Sequence, residues 1–233
     1  MSRLAAAAGL AAASGWLAPG LAPRVPGAAA LLGVPCHLEN GQARAVALTF
    51  DDGPHPEGTP AVLEALAAAG ARATFFVLGV QVERNPGLIE ETVAAGHGVA
   101  LHGYTHRMPL GMTARAFAAE LDRGEAIVAE AAGRRPEWYR PPYGKFSWPA
   151  LATVRRRGLR PLFWSSEGRD FSRGADPDSI VARASQGLGP GAVVLLHDAD
   201  THASEGSHRR TAAALPRLLE EIERLGLETV ALS

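Results

Sequence analysis

The chain has 233 residues, 47% of them apolar, with a net charge of −1. That is enough apolar material to bury a full core in one domain, and the near-zero charge excludes a basic field for nucleic acid or an anionic membrane surface. The single cysteine, Cys36, excludes an internal disulfide and a thiolate metal cluster, and it reads as a small buried hydrophobe. Lys145 is the only lysine; this, with the abundant alanine, reads as coding bias.

At the N-terminus Arg3 precedes a mildly apolar run, Leu4–Leu17, too short to span a bilayer comfortably. It fits the basic and apolar regions of a signal- or anchor-like segment, with membrane association through residues 1–30 and a secreted or envelope location. It equally fits a short helix packed on the domain of a cytoplasmic protein. Pro19, Pro23 and Pro26 break whatever forms there. Residues 1–42 are therefore set apart from a domain over residues 43–233.

From residue 43 the chain alternates strand-like and helix-like segments. Strands are expected over Ala45–Phe50, Ala73–Leu78, Gly98–Leu101, Trp138–Arg140, Arg160–Trp164, Ala192–Leu196 and Leu227–Leu232. Helices are expected over Thr59–Ala69, Pro86–Ala95, Thr113–Ala132, Ser147–Arg157, Pro177–Gln186 and His208–Leu225. Thr59 with Pro60, and Asp176 with Pro177, read as caps with a first turn; Thr113 and Ser147 also read as caps. Gly70, Gly96, Gly133, Gly158 and Gly226 stand where helices should stop. Such alternation implies parallel strands with helical crossovers. An incomplete barrel and a doubly wound sheet both fit.

The reactive residues collect at one edge of that sheet. Asp51 and Asp52 follow the first expected strand, and His102 and His106 the third. Arg140 and Tyr143 close the fourth, Asp170 follows the fifth, and His197 with Asp198 the sixth. The C-terminal strand ends are where parallel α/β folds build active sites. Two imidazoles four residues apart come to one face on a helical turn. Joined by a carboxylate from Asp51 or Asp52, they make a two-His, one-carboxylate metal set that leaves a position open for water. The other aspartate is placed to act as base, and His197 as acid. Arg140 can pair with a carboxylate and hold it ionised, and Asp170 can orient His197. Taken singly, each of these reads as an ordinary loop or core residue; together they point to one site.

Five stretches in order, Thr49-Phe50-Asp51-Asp52, His102-Gly-Tyr-Thr-His106, Arg140-Pro-Pro-Tyr-Gly144, Glu167-Gly-Arg-Asp170-Phe171 and Leu195-Leu-His197-Asp198, resemble the motifs of polysaccharide deacetylases of the NodB-homology type, carbohydrate esterase family four. The resemblance covers roughly residues 43–232. It implies a distorted, incomplete (β/α)7 barrel and one divalent metal, zinc foremost, with cobalt, nickel or manganese as alternatives. It implies Asp51 as general base and Asp52, His102 and His106 as metal ligands. By the same resemblance His197 is the general acid, Arg140 positions Asp51, Asp170 tunes His197, and the Tyr143 amide binds the oxyanion. Leu195 and the aromatic Phe171 line the pocket for the acetyl methyl. The expected activity is removal of N-acetyl groups from a glycan such as peptidoglycan, a chitin-like oligomer or an envelope polysaccharide. An O-acetyl esterase and a catalytically weak glycan-binding protein are the competing expectations. Three positions depart from the family pattern: Gly103 for Ser or Thr, Phe171 for Trp, and Glu167 for Asp. The lost hydroxyl at Gly103 is expected to loosen the histidine loop.

Overall fold

A computed structural model of the chain describes residues 29, 32–38 and 44–232. The Leu4–Leu17 run, with its signal-or-helix alternatives, lies outside the described residues. Among these, eight strands and seven α-helices follow in the order β1 (Ala45–Asp51), α1 (Gly58–Ala68), β2 (Ala73–Val77), α2 (Gly79–Arg84), α3 (Pro86–Ala94), β3 (Gly98–Leu101), α4 (Ala114–Ala132), β4 (Trp138–Tyr139), α5 (Trp148–Arg156), β5 (Arg160–Pro161), β6 (Ser166–Glu167), α6 (Pro177–Ser185), β7 (Val193–His197), α7 (Ser207–Arg224) and β8 (Glu228–Thr229). Every strand pair is parallel, in the order β5-β4-β3-β2-β1-β7-β6. β8 pairs with Ala45 and Val46 at the start of β1, before the β1–β2 register begins at Leu48. The sheet curls into an incomplete barrel with helices on its outside, so the barrel alternative holds over the doubly wound one.

Side chains alternate across each strand, and the two faces have separate cores. Val46, Leu48, Phe50, Phe75, Val77, Leu101, Val194 and Leu196 join the large cluster with the helices. Ala47, Phe76, Ala100, Trp138, Leu162, Val193 and Leu232 form a smaller cluster on the concave face. The barrel stays open between β5 and β6. There the segment 35–38 runs alongside: the Phe163 amide donates to the Pro35 carbonyl (2.9 Å), Leu38 donates to Gly191 (2.8 Å), and His37 bridges Ala192. Leu32 and Val34 are buried in the large cluster beside it.

Four local expectations change. The stretch Arg160–Trp164 holds a strand only over its first two residues, and β6 is an additional two-residue strand. Helix α2 begins immediately after β2, where the sequence continues the apolar run of the strand. Thr59 does not cap α1; the cap position is Glu57, and the Thr59 hydroxyl instead donates to Asp198 Oδ2 (2.5 Å). Asp176, Thr113 and Ser147 do cap α6, α4 and α5 with their side chains.

Candidate active site

The site is the concave face continued past the strand ends. In β1 the concave positions run Ala47, Thr49, Asp51; in β7 they run Val193, Leu195, His197, and the register pairs Asp51 with His197. One alternation step beyond Ala100 is His102, and one beyond Trp138 is Arg140. Period two alone therefore turns Asp51, His102, Arg140 and His197 to the same side. Asp170 follows β6 rather than the expected fifth strand.

Arg140 is fully buried and held on all sides. It donates to Asp51 Oδ1 (2.7 Å), Thr49 Oγ1 (2.8 Å) and the carbonyls of Phe163 (3.1 Å) and Leu162 (3.4 Å), and its guanidinium lies 4.0 Å over the Phe76 ring. A buried Asp51 carboxyl is driven upward in pKa by burial, and the Arg140 charge opposes that rise. The charge-assisted bond occupies Oδ1 and leaves Oδ2 toward the cavity, 3.7 Å from His102 Nε2.

Asp52 reaches the site by a different route. Its backbone is left-handed (φ 78°), a conformation that an L residue with a side chain seldom adopts. The turn brings Oδ1 to 3.4 Å from His102 Nε2 and 3.3 Å from His106 Nε2. His102 Nδ1–H donates to the Arg140 carbonyl (2.8 Å), so its Nε2 carries a lone pair aimed at Asp52. Burial, foremost, keeps both imidazoles neutral, His106 with the help of its neighbours His102 and His202. Asp52 Oδ1 is buried without a hydrogen-bond donor, and burial with Asp51 close by lifts its carboxyl to about 7. An orphaned carboxylate oxygen facing two neutral imidazole lone pairs, all within 4.8 Å, fits one divalent cation. The expected helical turn is absent: residues 102–106 form a loop that reverses at Gly103 (φ 104°).

Opposite this set, Asp170 accepts from His197 Nδ1 (2.9 Å), the His197 amide (2.6 Å) and the Thr211 hydroxyl (2.7 Å). Burial works against a charged ring at His197, but Asp170, with Asp52 and Asp51 beyond, outweighs it and raises the pKa to about 10. Asp51, Asp52, His102, His106, Tyr143, Lys145, Glu167, Phe171, Leu195, His197 and His202 all line one cavity of about 300 Å³. Phe171 stands edge-on to His197 (5.5 Å). The geometry thus joins every expected site residue on one cavity or directly behind its wall.

The polysaccharide deacetylase family profile matches residues 39–162. The chain belongs to this family. It is 38% identical to a chitooligosaccharide deacetylase of a Bradyrhizobium species over 79% of this chain and 87% of the relative. It is 32% identical to a peptidoglycan-N-acetylglucosamine deacetylase of Bacillus cereus over 81% of this chain and 86% of that one. Its fold superposes on a family 4 carbohydrate esterase from Streptomyces lividans, solved with acetate, with a TM-score of 0.74 and 34% identity, covering 83% of this chain and 95% of that one.

Sequence reasoning on this polysaccharide deacetylase missed His202, which stacks on His106 (4.2 Å, 18° between planes) and lines the cavity. No motif marks it, because it arrives on the loop between β7 and α7. That loop is tied at both flanks, by Gln81 to Thr201 (3.2 Å) and by the Ser204 amide to the Phe171 carbonyl (3.0 Å). Behind it, His55, Asp200 and His208 make a second His/Asp group. His55 Nδ1 accepts the amides of Glu57 (3.2 Å) and Gly58 (3.0 Å), so its proton sits on Nε2. Asp200 stands 3.1 Å from His208 Nδ1 and 3.6 Å from His55 Nε2, and it also accepts the Gly206 amide (2.7 Å), which ties the loop to this group.

The loss of a hydroxyl at Gly103 is met by other supports. The amides of Gly79 and Val80, the first turn of α2, donate to the carbonyls of Gly103 and Tyr104 (2.9 Å each). Glu120 of α4 accepts from the Thr105 amide (3.0 Å) and hydroxyl (2.9 Å). At φ 104° position 103 favours glycine over any residue with a hydroxyl.

Proposed function

We propose that this protein is a metal-dependent N-deacetylase of N-acetylated glycans, and that residues 43–233 carry the activity. The observation that carries the reading is a single cavity with an Arg-held carboxylate and a two-His, one-carboxylate set on one side and an Asp-held histidine on the other. The names of the relatives supply the substrate class: oligomers or polymers of N-acetylglucosamine, of the chitooligosaccharide or peptidoglycan kind. Export with the Leu4–Leu17 segment fits a substrate of the peptidoglycan kind, and we place the protein in the envelope or outside the cell.

Asp52, His102 and His106 would hold the divalent ion, zinc foremost. When bound, it supplies Lewis-acid polarisation of the acetamide carbonyl and lowers the pKa of a water at the open position. Asp51 accepts the proton of the attacking water through Oδ2 while Arg140 holds Oδ1. The Tyr143 amide, set by a left-handed turn at that residue (φ 60°), donates to the developing oxyanion. The acetyl methyl rests against Leu195 and Phe171. His197, kept protonated by Asp170, hands its proton to the departing sugar amine. An acid that retains its proton to high pH suits a basic amine leaving group, which favours amide over ester substrates.

The test is acetate release from N-acetylglucosamine oligomers. Protein stripped by a chelator should release none, and resupplied zinc should restore release. The Asp51→Asn variant should lose roughly 100-fold or more while still binding zinc at the wild-type ratio. Full activity in either the stripped protein or the variant would overturn the assignment.

A further inference from the structure

We propose that Lys145 is a specificity residue that reads a carboxylate carried on the sugar itself, so that the preferred substrate is an acidic N-acetylated glycan over a neutral one. The inference rests on the deacetylase reading and names the substrate class within it.

Three observations converge. First, Lys145 lines the catalytic cavity together with Tyr143 and Glu167, on the extended residue that follows the Pro142–Gly144 turn. Second, it is half-buried with no hydrogen bond or ion pair for its ammonium among the described residues. None of the cavity's own acids is paired with it. Asp51 pairs with Arg140 (2.7 Å), Glu167 with Arg169 (2.9 Å), and Asp52 faces two histidines. Behind the wall Asp170 pairs with His197. Among the described residues, the lysine is the lining cation whose charge no carboxylate meets. Third, it is the only lysine among 23 cationic side chains. A chain that places arginine everywhere else has at this position a compact charge on a flexible stem with three rotatable donors. Such a group suits a carboxylate that varies in position from one sugar unit to the next; the planar fork of arginine suits a fixed bidentate partner. A partly desolvated ammonium without a counter-charge is unfavourable, and a carboxylate brought by the substrate relieves it. A neutral glycan offers hydroxyls alone.

The experiment compares kcat/KM for acetate release on two peptide-free oligomers of equal length. One is the neutral N-acetylglucosamine oligomer. The other alternates N-acetylglucosamine with N-acetylmuramic acid, whose lactyl ether carries the carboxylate. Lys145→Met should lose roughly five- to tenfold on the acidic oligomer, the size of a partly exposed charge pair, and less than twofold on the neutral one. Lys145→Arg, which keeps the charge but not the compact head, should keep only part of the preference, and raising salt should shrink it in the wild type. Calorimetric binding of the acidic oligomer to Asp51→Asn, with and without Lys145→Met, should weaken by the same factor. Equal losses on both oligomers, or none on either, overturn the inference while leaving the deacetylase reading intact. A wild type silent on both oligomers overturns the deacetylase reading itself. In that case binding that is indifferent to Lys145→Met rejects the present inference on its own readout.

Discussion

Among the described residues, the three non-glycine positions with positive φ are Asp52, Tyr143 and Arg169; the first two line the cavity, and Arg169 lies between its lining residues Glu167 and Phe171. Strained backbone at such positions persists only where the surroundings fix it. At Asp52 the consequence is direct. Two consecutive strand residues point to opposite faces, and the left-handed turn is what brings both aspartates to one side. This is why the sequence leaves open which carboxylate joins the histidines, although it identifies both. The His197–Asp170 pair makes a residue-scale prediction. His197 carries a pKa raised to about 10, so the stabilisation of the pair is fully present below the ordinary histidine pKa of about 6.5 and is lost as pH rises through about 10. As the proton donor, His197 should hold the alkaline limb of the kcat/KM profile at high pH. Asp170→Asn removes the raising charge and should move that limb downward by at least one pH unit. An unmoved limb would remove His197 from the acid role.

Elements of the site were legible to different degrees. Strands β1, β2, β3 and β7 follow from apolar runs, and helices α4, α5 and α6 from the caps Thr113, Ser147 and Asp176. Strand β6 is two residues, Ser166–Glu167, with no periodicity to read. Helix α2 is six residues, Gly79–Arg84, with no side-chain cap, and it hides in the continuation of Ala73–Leu78. Yet α2 holds the histidine loop, so the element hardest to see in sequence supports the residues easiest to see. The loop also leans on α4 at Gly124, where an added Cβ would meet the Tyr104 amide at 2.9 Å and the Gly103 carbonyl carbon at 3.0 Å. A helix-interior glycine is unfavourable by roughly 0.5–1 kcal/mol relative to alanine, so close approach explains its presence. Gly124→Ala sets that gain against contacts with backbone that must move to admit the methyl, so the melting temperature should fall by a few degrees. The substitution should weaken zinc binding by roughly 10-fold, since supports behind metal ligands have effects of that size. Competition against a chromophoric chelator measures it, and wild-type affinity would show that the loop does not depend on this contact.

For the whole molecule, strand–helix alternation announced a parallel α/β fold, while closure did not follow from it. Whether a sheet curls depends on register and on what fills its seam, and here residues 35–38 lie along the opening between β5 and β6. Nothing in their composition marks them, because Leu32 and Val34 look like any short apolar pair until the sheet is present to bury them. Burial of each is worth about 2 kcal/mol. A chain beginning at residue 43 should accordingly melt on the order of 10 °C below one beginning at residue 29, as read by calorimetry. Equal melting temperatures would show that the seam needs no cover. No described helix is long and apolar enough to cross a membrane.

The junction of β2 and α2 donates three successive amides: Leu78 to the Gly53 carbonyl (3.0 Å), Gly79 to Gly103 and Val80 to Tyr104. One short stretch of backbone thus ties the aspartate turn to the histidine loop. Neither loop can swing away without exposing these protons to solvent, so their hydrogen-exchange rates gauge how often the two halves of the metal set part company. Because a cation bound across both loops binds only the closed arrangement, adding zinc to stripped protein should slow exchange at residues 78–80 together. Exchange that slows at one amide alone would mean that the halves open independently. Assembly of the centre can in this way be followed without substrate and without turnover.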